Sequence, residues 1–215
     1  MKEIKISEKY NLPTEVKFCK RCVISNQRPR IIFDESQICS ACRYFEYKSS
    51  INWKKREEEL LILLDKHRLK NGDFDCLVPS SGGKDSAYVA HELKNKYGMH
   101  PLTVTWSPLK YTDIGWDNLV NFNDSGFDVV LGMPKGDVKK KLTKHALIEM
   151  GDPFQGFIYG QVLFPVTIAL NYGIKLIFRG ENAEAEYGGS KNSWDKNYLP
   201  IEDFKKIWFS NYSLD

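Results

Sequence analysis

The sequence predicts an α/β fold in which helices cover both faces of a parallel sheet, accompanied by a small four-cysteine module. Three observations support this prediction. Short apolar runs alternate with helical stretches from residue 74 onward, an order typical of parallel sheets. Four of the five cysteines stand in two close pairs, and a glycine-rich turn directly follows the first apolar run.

Length and composition are those of a soluble globular protein. The 215 residues are 42% hydrophobic and 27% charged, which excludes disordered, collagen-like and disulfide-dense classes. The net charge of +3 comes from 31 basic and 28 acidic residues. This balance argues against a nucleic acid partner, and we interpret the basic stretch 135–144 as the solvated face of a helix.

No targeting or membrane segment is expected. The first residues lack the apolar stretch of a secretory signal. The most apolar region, residues 156–178, is interrupted by Gln, Pro, Asn and Lys, whereas a membrane helix needs about 20 predominantly apolar residues. The sequence therefore predicts a cytoplasmic protein.

The paired cysteines predict a structural zinc site. Cys19 and Cys22 are followed, after sixteen residues, by Cys39 and Cys42, within the spacing of four-cysteine zinc sites. Metal binding can order such a short polar segment because its free energy becomes folding free energy. The alternatives are two disulfides, a redox pair and an iron–sulfur cluster. A cytoplasmic location disfavours disulfides, and the presence of two pairs disfavours a redox pair. The spacing differs from the usual spacings of iron–sulfur clusters.

The elements and domain boundaries follow from periodicity and end signals. We expect a zinc module over 1–50 that includes a strand-like stretch at 30–34, a linking helix within 51–72, and the α/β domain over 73–215. Pro165 should kink or split the last helix, and Cys76 is expected to be a buried strand residue. Predicted helices cover residues 53–70, 85–97, 113–125, 138–150 and 157–172, and predicted strands cover 74–78, 101–106, 127–131 and 174–178.

The turn after the first predicted strand has the composition of a phosphate-binding loop. Its residues are Ser81, Gly82, Gly83, Lys84, Asp85 and Ser86. The glycines let the backbone approach an anion, the amides of the following helix attract it, and Lys84 with the serine hydroxyls adds donors. Asp85 can cap the helix or meet a Mg²⁺ ion. The spacing does not match a Walker A loop. The alternative is a glycine-rich turn without a ligand.

These six residues resemble the SGGxDS loop of the ATP-pyrophosphatase (PP-loop) superfamily. The resemblance implies an adenine-nucleotide α-hydrolase-like, Rossmann-like fold. It also implies a reaction that cleaves ATP between the α and β phosphates and adenylates a carbonyl oxygen. A nitrogen or sulfur nucleophile then displaces AMP.

Two further segments resemble the N-acetyl sugar amidotransferases of that superfamily. One reads CKRCV at 19–23, PRIIFD at 29–34 and CSAC at 39–42, and the other reads GENAEAEYGG at 180–189. Members belong to bacterial surface-polysaccharide (lipopolysaccharide) and flagellin-glycan pathways, where they convert an acetamido group to an acetamidino group. The resemblance covers residues 17–209. Because members are longer, we expect the chain to be truncated at its C-terminal end relative to the family.

The resemblance implies cofactors, partners and roles for named residues. It implies Zn²⁺ at the four cysteines, ATP with Mg²⁺ at the loop, and an N-acetyl sugar substrate, either free or nucleotide-linked. A separate glutaminase is expected to supply ammonia, since the chain has no room for one. The implied catalytic residues are Lys84, Asp85 and Glu181. The implied ATP site comprises Ser81, Gly82, Gly83, Lys84, Asp85, Ser86, Val104, Thr105, Trp106, Arg179, Gly180 and Asn182.

The acidic segment after the last predicted strand leaves alternatives open. Glu181, Glu184 and Glu186 follow that strand at the edge where open sheets bind ligands. Glu181 with Asn182 can hold Mg²⁺ or the sugar, or the segment is a solvated acidic loop. Arg179 can steady the α-phosphate or pair with a carboxylate. No roles are assigned to Glu184 and Glu186.

Two competing functions are consistent with the motifs. The first is a PP-loop thiolase that modifies tRNA, which the absence of any cysteine after Cys76 disfavours. The second is a non-catalytic nucleotide-binding subunit that supports an active partner.

Overall fold

The computed structural model describes residues 12–28, 31–181 and Trp194. They belong to two compact units, one with residues 12–28, 31–52 and Trp194 and the other with residues 53–181. Within these described parts of the chain, no helix has the length and apolarity needed to cross a bilayer.

The first unit consists of two turns and a helix. Isolated antiparallel bridges join Phe18 to Ser25 and Phe33 to Cys39. Helix α1 (Ser40–Lys48) follows, with Cys39 at its N-cap. The strand-like stretch predicted at 30–34 is, over the described residues 31–34, a single bridge at Phe33. The sequence prediction missed α1, because its cysteine pair was interpreted as a knuckle rather than as the start of a helix.

The second unit contains a parallel sheet of three strands in the order β1 (Cys76–Pro79), β2 (Pro101–Trp106) and β3 (Val129–Gly132). Val78 is in register with Thr103, and Val104 with Val130. On the other side of β1, Leu77 forms one parallel bridge with Ile177. The strand predicted over 174–178 is therefore a single bridge, but it lies beside β1 as a fourth strand would.

Five helices of this described unit match the predicted positions, with ends displaced by a few residues. They are α2 (Trp53–His67), α3 (Lys84–His91), α4 (Asp113–Asp124), α5 (Gly136–Met150) and α6 (Gln155–Asn171). Helix α3 continues as a π-helical turn over Glu92–Lys96. Helix α6 runs through Pro165 without splitting. Pro165 is fully buried, so packing around it compensates for the backbone hydrogen bond that proline cannot make.

Side chains of the sheet point alternately into two apolar cores. Cys76 and Val78 belong to one core and Leu77 to the other, as the two-residue period of a strand requires. The first core also includes residues of α2, α3 and α4, for example Leu64, which is fully buried. The second core includes Ala169 of α6. Helices therefore cover both faces of the sheet, and Cys76 is a buried strand residue as predicted.

Trp106, at the end of β2, is held between β3 and α6 by two glycines. A Cβ atom on Gly160 would lie 2.0 Å from Trp106 Cε2, and one on Gly132 would lie 2.9 Å from Trp106 Cε3. Phe164 packs against the indole with ring centroids 5.2 Å apart. The glycine in the middle of α6 is therefore required by tertiary packing.

We expect Gly160→Ala to destabilise the protein by about 1–3 kcal/mol, because the added methyl overlaps a rigid indole. This cost exceeds the gain of about 1 kcal/mol in helix propensity. The matched control is Gly136→Ala, where a Cβ atom meets nothing within 4 Å. The control should change stability by less than about 1 kcal/mol. Urea unfolding measures both variants, and equal stabilities would contradict the packing argument.

Candidate functional site

The four paired cysteines form one compact cluster in the first unit. All four sulfur atoms lie within 4.8 Å of one another. The Sγ atoms of Cys19 and Cys42 are 4.0 Å apart, and those of Cys22 and Cys39 are 3.6 Å apart. Tetrahedral zinc with bonds of about 2.3 Å places sulfurs about 3.8 Å apart, whereas a disulfide requires about 2.05 Å. The cluster is therefore compatible with zinc, and its cysteines form no disulfide.

Backbone amides orient the sulfur of Cys19. The N–H groups of Arg21 and Cys39 donate to it, each at 3.3 Å. Burial alone would raise the pKa of Cys19, but the N–H groups of Cys39, Arg21 and Cys22 lower the pKa to about 6. Burial raises the pKa of Cys42 to about 12. A cation among the sulfurs would favour the deprotonated form of the cluster.

A charged network joins the turns of this unit to α1. Arg43 donates to Asp34 at 2.7 Å and to Glu46 at 2.9 Å, and Arg21 also pairs with Glu46. The carboxylate of Asp34 accepts the N–H groups of Ser36 and Ile38 at 2.9 Å and 3.0 Å. These contacts stabilise the turn that carries Cys39, the first thiol of the second pair.

The glycine-rich loop lies at the carboxyl end of β1, where the chain enters α3. Gly83 is the N-cap of α3 with φ −72° and ψ 152°, and no side chain caps the first turn. Ser81, Gly83, Lys84 and Asp85 are exposed. The loop therefore presents the start of a helix to solvent, which is the arrangement that attracts anions.

The two glycines of the loop have different surroundings. Gly82 has φ +78°, and a Cβ atom there would lie 2.8 Å from the carbonyl oxygen of Asn118 in α4. A Cβ atom on Gly83 would meet only Ser81 Oγ, at 3.5 Å. Packing against α4 therefore requires glycine at position 82, whereas nothing in the surrounding fold requires it at position 83.

Two predicted catalytic side chains contact each other in the loop. Lys84 Nζ donates to both carboxylate oxygens of Asp85, at 2.7 Å and 2.8 Å. Both side chains are at least half exposed. Because the pair is exposed, Lys84 can turn toward an anion at the loop, and Asp85 can turn toward a divalent cation.

Residues 179–181 lie beside the loop. A Cβ atom on Gly180 would be 2.7 Å from the backbone nitrogen of Ser86, so glycine is needed where this segment contacts the first turn of α3. Arg179 and Glu181 are exposed. Asn182, Glu184 and Glu186 lie outside the described residues. The structure thus brings the predicted residues 179–181 to the predicted loop.

The three residues at the end of β2 that were predicted to belong to the ATP site differ in how exposed they are. Val104 and Thr105 are 1% and 2% exposed, so their side chains line no accessible surface of this structure. Val104 packs in the core, and the hydroxyl of Thr105 donates to the carbonyl of Ser80. Trp106 is partly exposed and lines a cleft of about 70 Å³ between α5 and α6.

Sequence reasoning missed two residues at this edge of the sheet. Ser80 is 5% exposed, and its hydroxyl lies directly under the loop. The only sequence feature that could have indicated its role is its place as a polar residue between the buried strand and the loop. Lys139, predicted on a solvated face, lines the cleft and donates to Ser107 Oγ and Pro108 O, both at 2.7 Å. Burial lowers the pKa of Lys139.

Comparison with known proteins gives one partial similarity. No family model matches the chain. It is 31% identical over 87 residues to the uncharacterized protein MJ1599 of Methanocaldococcus jannaschii, which is 40% of this chain and 31% of that protein. The match therefore spans about a third of the length of the curated relative.

We expect the purified protein to contain one zinc ion per chain. Cys22→Ser should reduce bound zinc below about a tenth of an equivalent, because three sulfurs no longer complete the tetrahedron. The control is Cys76→Ala, which removes a buried cysteine outside the cluster and should keep the full equivalent. Elemental analysis measures the metal; a chain that binds none, or binds iron with sulfide, would contradict zinc.

The loop glycines should respond differently to alanine. Gly82→Ala should cost about 1–3 kcal/mol from its positive φ alone, with the contact to Asn118 adding to this. Gly83→Ala should cost less than about 1 kcal/mol, because it changes only an N-cap. Urea unfolding of the two variants tests this, and a Gly83→Ala variant as unstable as Gly82→Ala would overturn the distinction.

Proposed function

We propose that the protein is an ATP-dependent amidotransferase of the PP-loop type, with an acetamido sugar as acceptor. The observation that carries the proposal is the loop 81–86, which joins β1 to the uncapped start of α3. β1 lies between β2 and the segment around Ile177. The chain therefore leaves the carboxyl end of β1 where strand order reverses, and open α/β sheets bind ligands at such points.

The composition of the loop supports binding of the two outer phosphates of ATP. Backbone amides and the helix dipole favour an anion at the start of α3. Lys84 adds a full charge, and Ser86 adds a hydroxyl. Mg²⁺ would be held by Asp85 and would neutralise charge on the phosphates. Zn²⁺ is proposed as the structural ion of the four cysteines, separate from the chemistry.

The proposed chemistry begins at the acetamido carbonyl. Its oxygen attacks the α-phosphate of ATP, the bond between the α and β phosphates breaks, and pyrophosphate leaves. Ammonia then adds to the activated carbon, and AMP departs with the former carbonyl oxygen to leave an acetamidino group. The protein's contribution is positioning and charge neutralisation. Both Arg179 and Glu181 lie beside the loop. Arg179 is proposed to contact the α-phosphate, and Glu181 is proposed to contact the acceptor or Mg²⁺.

Ammonia is proposed to come from a separate glutaminase. A glutaminase needs its own nucleophilic cysteine. The single cysteine outside the cluster, Cys76, is fully buried in the core, and burial raises its pKa to about 12. A buried thiol with a raised pKa is a poor nucleophile.

The test is exchange of labelled pyrophosphate into ATP in the presence of N-acetyl sugars. We expect exchange that depends on the sugar and, with added ammonium, a product about one mass unit lighter. Lys84→Ala should reduce exchange at least about a hundredfold, as loss of one charge-stabilising donor does elsewhere. Gly136→Ala is the matched control away from the loop.

The other outcomes identify the competing functions. ATP binding without pyrophosphate exchange in the presence of any N-acetyl sugar would contradict the proposed enzyme and indicate a nucleotide-binding subunit. Salt-sensitive binding of tRNA would indicate the thiolase. Efficient turnover with glutamine by the chain alone would overturn the separate glutaminase.

A further inference from the structure

Ser80, the residue before the loop, uses all of its polar atoms within the protein. Its N–H donates to the carbonyl of Val104 at 2.9 Å, and its carbonyl accepts the hydroxyl of Thr105. Its Oγ accepts the N–H of Gly82 at 3.4 Å and lies 3.1 Å from the Oγ of Ser86. The buried serine is therefore anchored on β2 and contacts the loop from below.

The direction of the bond between the two hydroxyls follows from counting donors. Ser86 Oγ donates to the carbonyl of Gly83 at 3.2 Å, and a carbonyl oxygen can only accept. A serine hydroxyl has one hydrogen, so Ser86 has none left for Ser80. Ser80 is therefore the donor to Ser86, and the N–H of Gly82 occupies an acceptor site of Ser80. The bonds run in one direction, from Gly82 through Ser80 and Ser86 to Gly83.

We infer that Ser80 is a positioning residue that orients the hydroxyl of Ser86 as a donor to phosphate. This inference rests on the proposed function of the loop. Because Ser80 already donates to the Ser86 oxygen, the one hydrogen of Ser86 can turn from Gly83 to an anion. The Gly83 carbonyl then still accepts the N–H of Ala87 at 3.0 Å. Successive hydrogen bonds polarise one another, which strengthens the last donor.

A double-mutant cycle on pyrophosphate binding tests this inference. Pyrophosphate with Mg²⁺ is titrated calorimetrically into the full chain. Ser80→Ala should weaken binding about fivefold to tenfold, which corresponds to the loss of one neutral hydrogen bond. In a Ser86→Ala background the same change should alter binding by less than about twofold, because Ser80 acts through Ser86. Ser80→Thr keeps the hydroxyl and should bind like the wild type.

The cycle separates positioning from a structural role. If Ser80 only held the loop through Gly82, its loss would weaken binding equally in the Ser86→Ala background, which would overturn the inference. Unchanged binding by Ser80→Ala would also overturn it while leaving the proposed function intact. No binding by the wild type would contradict both. Thermal unfolding verifies folding; if Ser80→Ala does not fold, Ser80→Cys, a weak donor, replaces it in the cycle.

Discussion

The parallel pairing of β1 on both of its edges is the constraint on which the second unit depends. β1 pairs with β2 on one edge and with the segment around Ile177 on the other. The N–H of Leu77 donates to Leu176 O, and its carbonyl accepts the N–H of Phe178, both at 2.9 Å. Because parallel neighbours end at the same edge, this pairing brings residues 179–181 to the loop that follows β1. The backbone hydrogen bonds of Leu77, which precedes the loop by a few residues, therefore bring residues 179–181 next to the loop.

The first unit obtains its order in another way. Among its described residues, the fully buried side chains are few, and the sulfurs of the four cysteines lie within 4.8 Å of one another. Amides point at the sulfur of Cys19, and exposed ion pairs around Arg43 connect the turns to α1. Exposed pairs stabilise little by themselves. A metal that replaces the thiol protons would add its binding free energy to the folding of the residues around the cluster.

Sequence patterns predicted the elements whose signals are local. β2 was predicted over its observed residues, and the helices of the second unit within a few residues at each end. Features that depend on contacts in space were not predicted. α1 begins directly after Cys39, within a cysteine pair that the sequence prediction assigned to a knuckle, and Gly160 is required by an indole more than fifty residues earlier in the chain. Pro165 stays inside α6 because it is buried, which local propensity does not reveal.

The loop combines positions fixed by packing with positions left open. Gly82 and Gly180 are held against the backbones of α4 and α3, where no side chain fits, and Ser80 is bonded to β2. Gly83, Lys84 and Asp85 are exposed on that rigid support. A Ser, Thr, Asn or Asp at position 83 would stabilise the start of α3 by only about a few tenths of a kcal/mol relative to glycine. The glycine start therefore costs little stability, and it leaves the first amides of α3 without a capping side chain at Gly83, in the arrangement that attracts anions.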